Sequence, residues 1–281
     1  MQPTPKIDGY PRGIGMYVRR YSRRTHGTPE QLAAKAADHG LTWVAILACW
    51  QDRHQNHNRS IAHNAAVLPD LCQALADRGV VPWVWTFPRG GWEDTHQTTL
   101  RNVFDQAGDV LGGVLLDPEI YYKFKRRGNP PDYAGMRATP EAVDDPDAAE
   151  SSEDWTRMHA RRLIRTTLDV LDERHAIGVT SYGIPSWHSL AWEDLVAGFG
   201  SGQYYRVNER LCMKGLAEWR RLFGGEAAHL LPSVGVFGEH NLAERLGWFA
   251  GQPNVHGAIA WSWRQCDRRE WRILESFADK F

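Results

Sequence analysis

The chain has almost no excess charge of either sign: 33 Lys and Arg face 34 Asp and Glu, a net charge of −1 over 281 residues. Nucleic acid is therefore not expected as the main partner, because such proteins concentrate basic charge on one face. No apolar run approaches the length of a membrane span, and MQPTPKIDGYPRGIG lacks a basic-then-apolar export segment. The expectation is a chain that is cytoplasmic when synthesised, with no membrane partner, reaching any cell-wall target by another route. Cysteine is scarce: Cys49, Cys72, Cys212 and Cys266 show no CxxC spacing, so reduced, buried thiols are expected rather than a disulfide framework or zinc knuckle. There is no GxGxxG after the first strand-like segment and no GxSxG around Ser181 or Ser262. A dinucleotide site and a serine-hydrolase elbow are thus disfavoured, and no cofactor is expected.

Aromatic residues, by contrast, are abundant: 13 Trp in a chain that is 42% hydrophobic. Such side chains either fill a core or line a concave site. Strand-like and helix-like periodicities alternate throughout. GIGMYVRRY, TWVAILACW, VVPWVWTFP, VLGGVLLDPE, AIGVTSYGIP, SGQYYRV, HLLPSVGVFG and VHGAIAWSW read as strands, each followed by a helical segment. TWVAILACW is continuously apolar, as in a strand buried on both faces. Eight such units in this length predict one α/β domain over residues 1–281, a closed (β/α)8 barrel rather than a doubly wound open sheet. The irregular stretch 123–150 reads as an enlarged loop after the fourth strand, overhanging the site.

Within the fourth strand, an apolar run ends in Asp117-Pro118-Glu119. Residues i and i+2 of a strand share a face, with Cα atoms about 6.5–7 Å apart, so the two carboxylates project together. Neighbouring acids push each other's pKa apart, leaving one protonated and one ionised, which suits glycosidic bond cleavage. The competing reading is a strand end whose acids cap a helix or pair with arginines.

In a barrel, strand ends meet at one face, where active sites of this fold lie. The expected mouth residues are Tyr17, Arg19 and Tyr21 from strand one, Trp50 and Asp52 from strand two, and Trp85, Phe87 and Arg89 from strand three. Beyond Asp117 and Glu119 come Tyr182, then Gln203 and Tyr205, then Phe237 and Glu239, and finally Trp261 and Trp263. Acids in an aromatic cup fit a glycan, whose C–H faces pack on rings while its hydroxyls seek polar partners.

GGVLLDPE resembles the end of the DxxDxDxE signature of family 18 glycoside hydrolases, the chitinase-like barrels. Asp117 and Glu119 fall on its last two acids, and Gly112 and Leu115 replace the earlier two. GAIAWSWRQCD is similar to that family's closing strand, which implies Trp261 as the floor of a sugar pocket. QYYR resembles its MxYD pattern, with Tyr205 on the tyrosine and Arg206 in place of the acid. A second resemblance, to family 25 lysozyme-like barrels, rests on the Asp-x-Glu strand end and on VTSYGIPSWHS, though the acidic first strand of that family is absent.

These resemblances imply a glycosidase acting on an N-acetylated glycan, peptidoglycan in preference to chitin. Glu119 is the expected general acid, kept neutral by burial and by an ionised Asp117. The mechanism is either retaining or one in which the substrate's N-acetyl group attacks, with Asp117 steadying its nitrogen and Tyr205 its carbonyl oxygen. The expected glycan contacts are Trp261, Trp263, Gln203, Tyr182, Trp85, Arg89, Asp52, Tyr17, Arg19 and Glu239. Arg19, Arg20, Arg23 and Arg24 form a basic cluster suited to the carboxylates of an acidic glycan or to the acidic fourth loop. One alternative is an inactive, glycan-binding or particle-associated barrel. The other is a metal-dependent hydrolase using Asp52, His54, His57 and His63, although no metal site is expected because their spacing matches no helical HxxxH pair.

Overall fold

The computed structural model describes residues 9–50, 64–119, 148–188, 190–205, 207–237 and 242–281. Its first half comprises β1 (Gly13–Val18), α1 (Arg23–His26), α2 (Pro29–Asp38), β2 (Leu41–Trp50), α3 (Leu68–Ala76), β3 (Val81–Phe87), α4 (Glu93–Ala107) and β4 (Gly113–Leu116). The second half comprises α5 (Ala148–Leu168), β5 (Ala176–Tyr182), α6 (Trp192–Leu195), β6 (Phe199–Tyr204), α7 (Glu209–Leu222), β7 (Ser233–Gly235), α8 (Leu242–Phe249), β8 (Gly257–Trp261) and α9 (Arg268–Phe277). The strands form a closed barrel in chain order, every pair parallel, with β8 hydrogen-bonded to β1. This is the expected (β/α)8 architecture. No helix among the described residues is long and apolar enough to cross a membrane.

Local chemistry explains the boundaries. α2 opens on a capping box, in which Thr28 accepts from the Gln31 backbone while the Gln31 side chain caps Thr28, with Pro29 in the first turn. α4 begins earlier than its apolar periodicity indicates, because Glu93 and Asp94 suit the positive end of the helix dipole. β7 is only three residues long, since the preceding Pro232 has no N–H for the ladder. The segment expected as a helix over 190–198 folds only one α-helical turn, α6.

Two apolar clusters divide the molecule. The larger joins outward strand faces to the helices and includes Met16, Val44, Val84, Val114, Val179 and Trp219. The smaller fills the barrel with Tyr10, Tyr17, Trp43, Trp83, Trp85, Leu115, Phe199, Leu231 and Ile259. Large aromatic rings fit in so narrow a space because glycines face them. A Cβ on Gly15 would lie 2.2 Å from the Trp43 ring, and one on Gly178 would lie 2.3 Å from Phe199. Several tryptophans thus pack the lower barrel, while others reach the mouth.

Candidate active site

β4 carries the two acids to the mouth. The Asp117 backbone N–H donates to the Thr86 carbonyl (2.8 Å), extending the β3–β4 ladder by one residue. Ser181 on β5 donates to the Pro118 carbonyl (2.8 Å) and secures the strand end from the other side. Behind it, Thr86 Oγ1 bonds His96 Nε2 at 3.0 Å, and burial pushes that imidazole down to about 3, so it stays neutral near pH 7.

Asp117 is 5% exposed, whereas Glu119 is half-buried. Gln203 Nε2 donates to Asp117 Oδ1 (2.9 Å) and lies 3.5 Å from Thr180 Oγ1. Burial raises the Asp117 carboxyl well above the ordinary aspartate range, and the charge of Glu119 adds to the rise. The Trp85 indole and Gln203 amide offset part of it. Sequence reasoning put the proton on Glu119 and the charge on Asp117. The structure adds that Asp117 is the more deeply buried of the two, and burial favours its protonated form.

Below the acids lies a polar string. Tyr17 Oη meets Ser233 Oγ at 3.2 Å, Ser233 Oγ meets Ser201 Oγ at 2.8 Å, and Ser201 donates to the Leu231 carbonyl at 2.6 Å. Burial raises the Tyr17 phenol, with Asp117 adding to the effect. Tyr205 is raised by burial and then by Tyr17, Asp117 and Glu119, which places its hydroxyl end in the same electrostatic neighbourhood. The serines went unrecognised in the sequence, although the i, i+2 series Ser201, Gln203, Tyr205 carries the signal.

The aromatic cup converges on Trp261. Its ring lies 5.1 Å from Tyr17, 5.3 Å from Trp85 and 6.1 Å from Tyr205, and it remains partly exposed at the end of β8. Tyr205 also lies 6.2 Å from Phe237. Trp50 stacks on Phe87 at 4.5 Å and meets Trp85 edge-on at 5.9 Å, and the Arg19 guanidinium lies 4.3 Å over the Trp50 ring.

Other expected members are placed differently. Trp263 is 3% exposed and packs on Trp271 (4.6 Å) and His26 (5.9 Å) between barrel and helices. The strand ends at Trp261, and the 3-10 turn Trp263–Gln265 breaks the alternation that would have aimed Trp263 inward. Trp85 and Tyr17, each 1% exposed, pack edge-on against Trp261 from within the barrel. Arg89 sits in the turn after β3 with its guanidinium 4.3 Å over Trp92, and Tyr182 stacks on His188 at 3.7 Å. Asp52, Glu239, the loop residues 123–147 and the histidines His54, His57 and His63 lie outside the described residues. Among the described residues, no group of three or more His, Cys, Asp and Glu is placed to hold a metal ion.

Comparison with solved structures places this geometry in context. A broad-specificity family 5-4 endoglucanase from an uncultured bacterium superposes with a TM-score of 0.60 at 11% identity, covering 98% of this chain and 96% of that one. The likeness is one of fold, a (β/α)8 barrel. A Bacteroides uniformis β-glucuronidase matches with a TM-score of 0.55 at 13% identity over 89% of this chain, which spans only 30% of that protein's length. A xylanase and α-amylase inhibitor protein matches with a TM-score of 0.56 at 11% identity, covering 96% of this chain and 98% of the inhibitor. No family model matches the sequence, and no curated protein matches it significantly. Neither family 18 nor family 25 is singled out, and identities this low speak to fold alone.

Proposed function

We propose that the chain is a glycoside hydrolase acting on an N-acetylated glycan, peptidoglycan in preference to chitin, with the substrate's own N-acetyl group as nucleophile. The observation that carries this reading is the buried Asp117, its carboxyl raised by burial and by Glu119, in the electrostatic neighbourhood of Tyr205, whose ring lies 6.1 Å from Trp261. A carboxyl whose burial favours the protonated form is a poor nucleophile, which disfavours direct attack by Asp117. It is well suited to receive an amide N–H. Hydrogen-bond donors lower a carboxyl's pKa, so a substrate amide donating to Asp117 favours its ionised form and moves the pair's single proton to Glu119. Glu119 then protonates the leaving oxygen as the amide carbonyl oxygen attacks the anomeric carbon. Water opens the cyclic intermediate and returns a proton to Glu119.

One observation favours a second reading, a barrel that binds without turning over. Leu115, on the strand face of Asp117 and Glu119, is fully buried where the chitinase-like pattern carries an acid, and one structural neighbour is an inhibitor protein. A turbidity and product assay on purified cell walls, chitin oligomers and plant polysaccharides separates the two. Reducing ends released only from N-acetylated substrates support hydrolysis as proposed. Release from plant polysaccharides alone overturns the substrate class, and binding without release by the wild type supports the second reading.

A further inference from the structure

The connection from β5 to β6 leaves an indole in solvent. It runs through the 3-10 turn Pro185–Trp187 and the single-turn α6 rather than through a full helix. Trp187 is 55% exposed, the one exposed aromatic among the described side chains, in a residue type that folding usually takes out of water. The turn that carries it is held on both sides. Glu218 of α7 accepts from the Ser186 N–H (2.7 Å) and from the Ser186 hydroxyl (2.8 Å). The Trp192 indole N–H is shared between the carbonyls of Pro185 (3.1 Å) and His188 (3.2 Å), which flank Trp187 in the chain. Gly215 of α7 permits the close approach, since a Cβ there would lie 2.1 Å from the Gly183 carbonyl oxygen. The Lys214 ammonium lies 5.6 Å from the Trp187 ring centroid and 3.9 Å from Glu218. The Trp187 indole N–H bonds to no described residue.

This turn does not belong to the mouth. α7 starts at the mouth face, after β6, and Glu218 lies nine residues along it from Glu209, about 13.5 Å down the helix axis. Trp187 therefore sits on the flank of the barrel. An aromatic platform whose backbone is fixed in advance loses little freedom when a ligand lands on it. The surroundings select the ligand. One flat apolar face, a donor N–H and the exposed Ser186 and Lys214 at its edge match a pyranose, which is apolar on its C–H face and polar around its rim. A stable protein partner needs an extended, charge-depleted centre of many residues, which a single ring edged by charges does not supply. We propose that Trp187, clamped by Glu218 and Trp192, is a second glycan-binding site, which holds a sugar ring of a polymeric chain on the flank while the mouth acts on another part of it. This takes from the proposed function only that the ligand is a glycan.

The test separates polymer binding from turnover of short substrates. Retention on insoluble cell walls, chitin and cellulose is read by depletion from solution, in Glu119→Gln protein to suppress turnover. Hydrolysis of short soluble N-acetylated oligosaccharides is read in protein that keeps Glu119. Trp187→Ala should weaken retention on the bound polymer about 10-fold, the scale of a lost aromatic anchor, with soluble turnover and Tm unchanged. Trp187→Tyr, which keeps a ring and a donor, should restore most of the retention. Absence of retention on every polymer, or retention that Trp187→Ala leaves intact, overturns the inference, and soluble turnover in that case leaves the proposed function standing. An equal loss of soluble turnover in Trp187→Ala also overturns it, by assigning Trp187 to the mouth. So does a dimer, seen by sedimentation, that Trp187→Ala dissociates while glycan retention holds, because a second copy is then the occupant. Retention that depends on Trp187 without turnover of any glycan upholds the inference and overturns the proposed function.

Discussion

Trp50 and Phe87 lie face to face, ring centroids 4.5 Å apart and planes 12° apart, because the β2–β3 ladder slips by one residue between Leu47 and Cys49. Below the slip, Trp43, Ala45 and Leu47 point into the barrel. Strict alternation would send Cys49 inward next. The extra residue reverses the phase, so Cys49 is buried behind the strand and Trp50 turns toward the mouth beside its ladder partner Phe87. A bulge at the site rim thereby supplies the indole on which Arg19 rests.

Glu119→Gln should reduce turnover about 10²- to 10⁴-fold, the usual range for general acid catalysis, without altering the thermal melt or the glycan Kd. Steady-state kinetics beside calorimetry checks this. A fully active variant would move the proton donor elsewhere.

Asp117→Asn should lower turnover and yet stabilise the fold at neutral pH. The folded pKa of Asp117 is raised, so its contribution to stability is complete below its ordinary value, 3.8, and is lost as pH rises through the folded value. Asparagine keeps an acceptor for Gln203 and carries no such penalty. The Tm advantage of the variant should therefore be near zero below pH 4 and grow as pH rises toward 8. A difference that does not vary with pH would remove the coupling between burial and charge.

Two tryptophans two residues apart should behave in opposite ways. Trp261→Phe should lose catalytic efficiency with little change in Tm, because its indole is partly exposed at the mouth. Trp263→Ala should cost about 3–5 kcal/mol of stability, typical of a buried aromatic, while kcat per folded molecule holds. Denaturant melts and kinetics on both variants decide the assignment, and exchanged outcomes would place the floor on Trp263.

Prolonged chelation followed by metal analysis should leave activity unchanged and find no stoichiometric ion. Loss of activity restored by zinc would transfer the chemistry to the His-rich segment after β2.

Much of the molecule was legible in the chain itself. Closure into eight parallel strands follows from alternating periods of two and 3.6, which are local properties of backbone geometry. Placing Asp117 and Glu119 together at a strand end, and Trp261 at the mouth, required only strand alternation and the common polarity of parallel strands. What the sequence could not determine depends on non-local contacts. The slip that turns Trp50 inward is a property of two paired strands, and the fate of Trp263 depends on the turn that ends β8 and on Trp271 receiving it. Asn64 joins β1 to β2 through hydrogen bonds spanning 17 to 45 residues, leaving no mark on any local pattern. Burial sets the direction in which the Asp117 carboxyl shifts. The residues alone name two carboxyls, but only the closed barrel makes one of them deeper than the other.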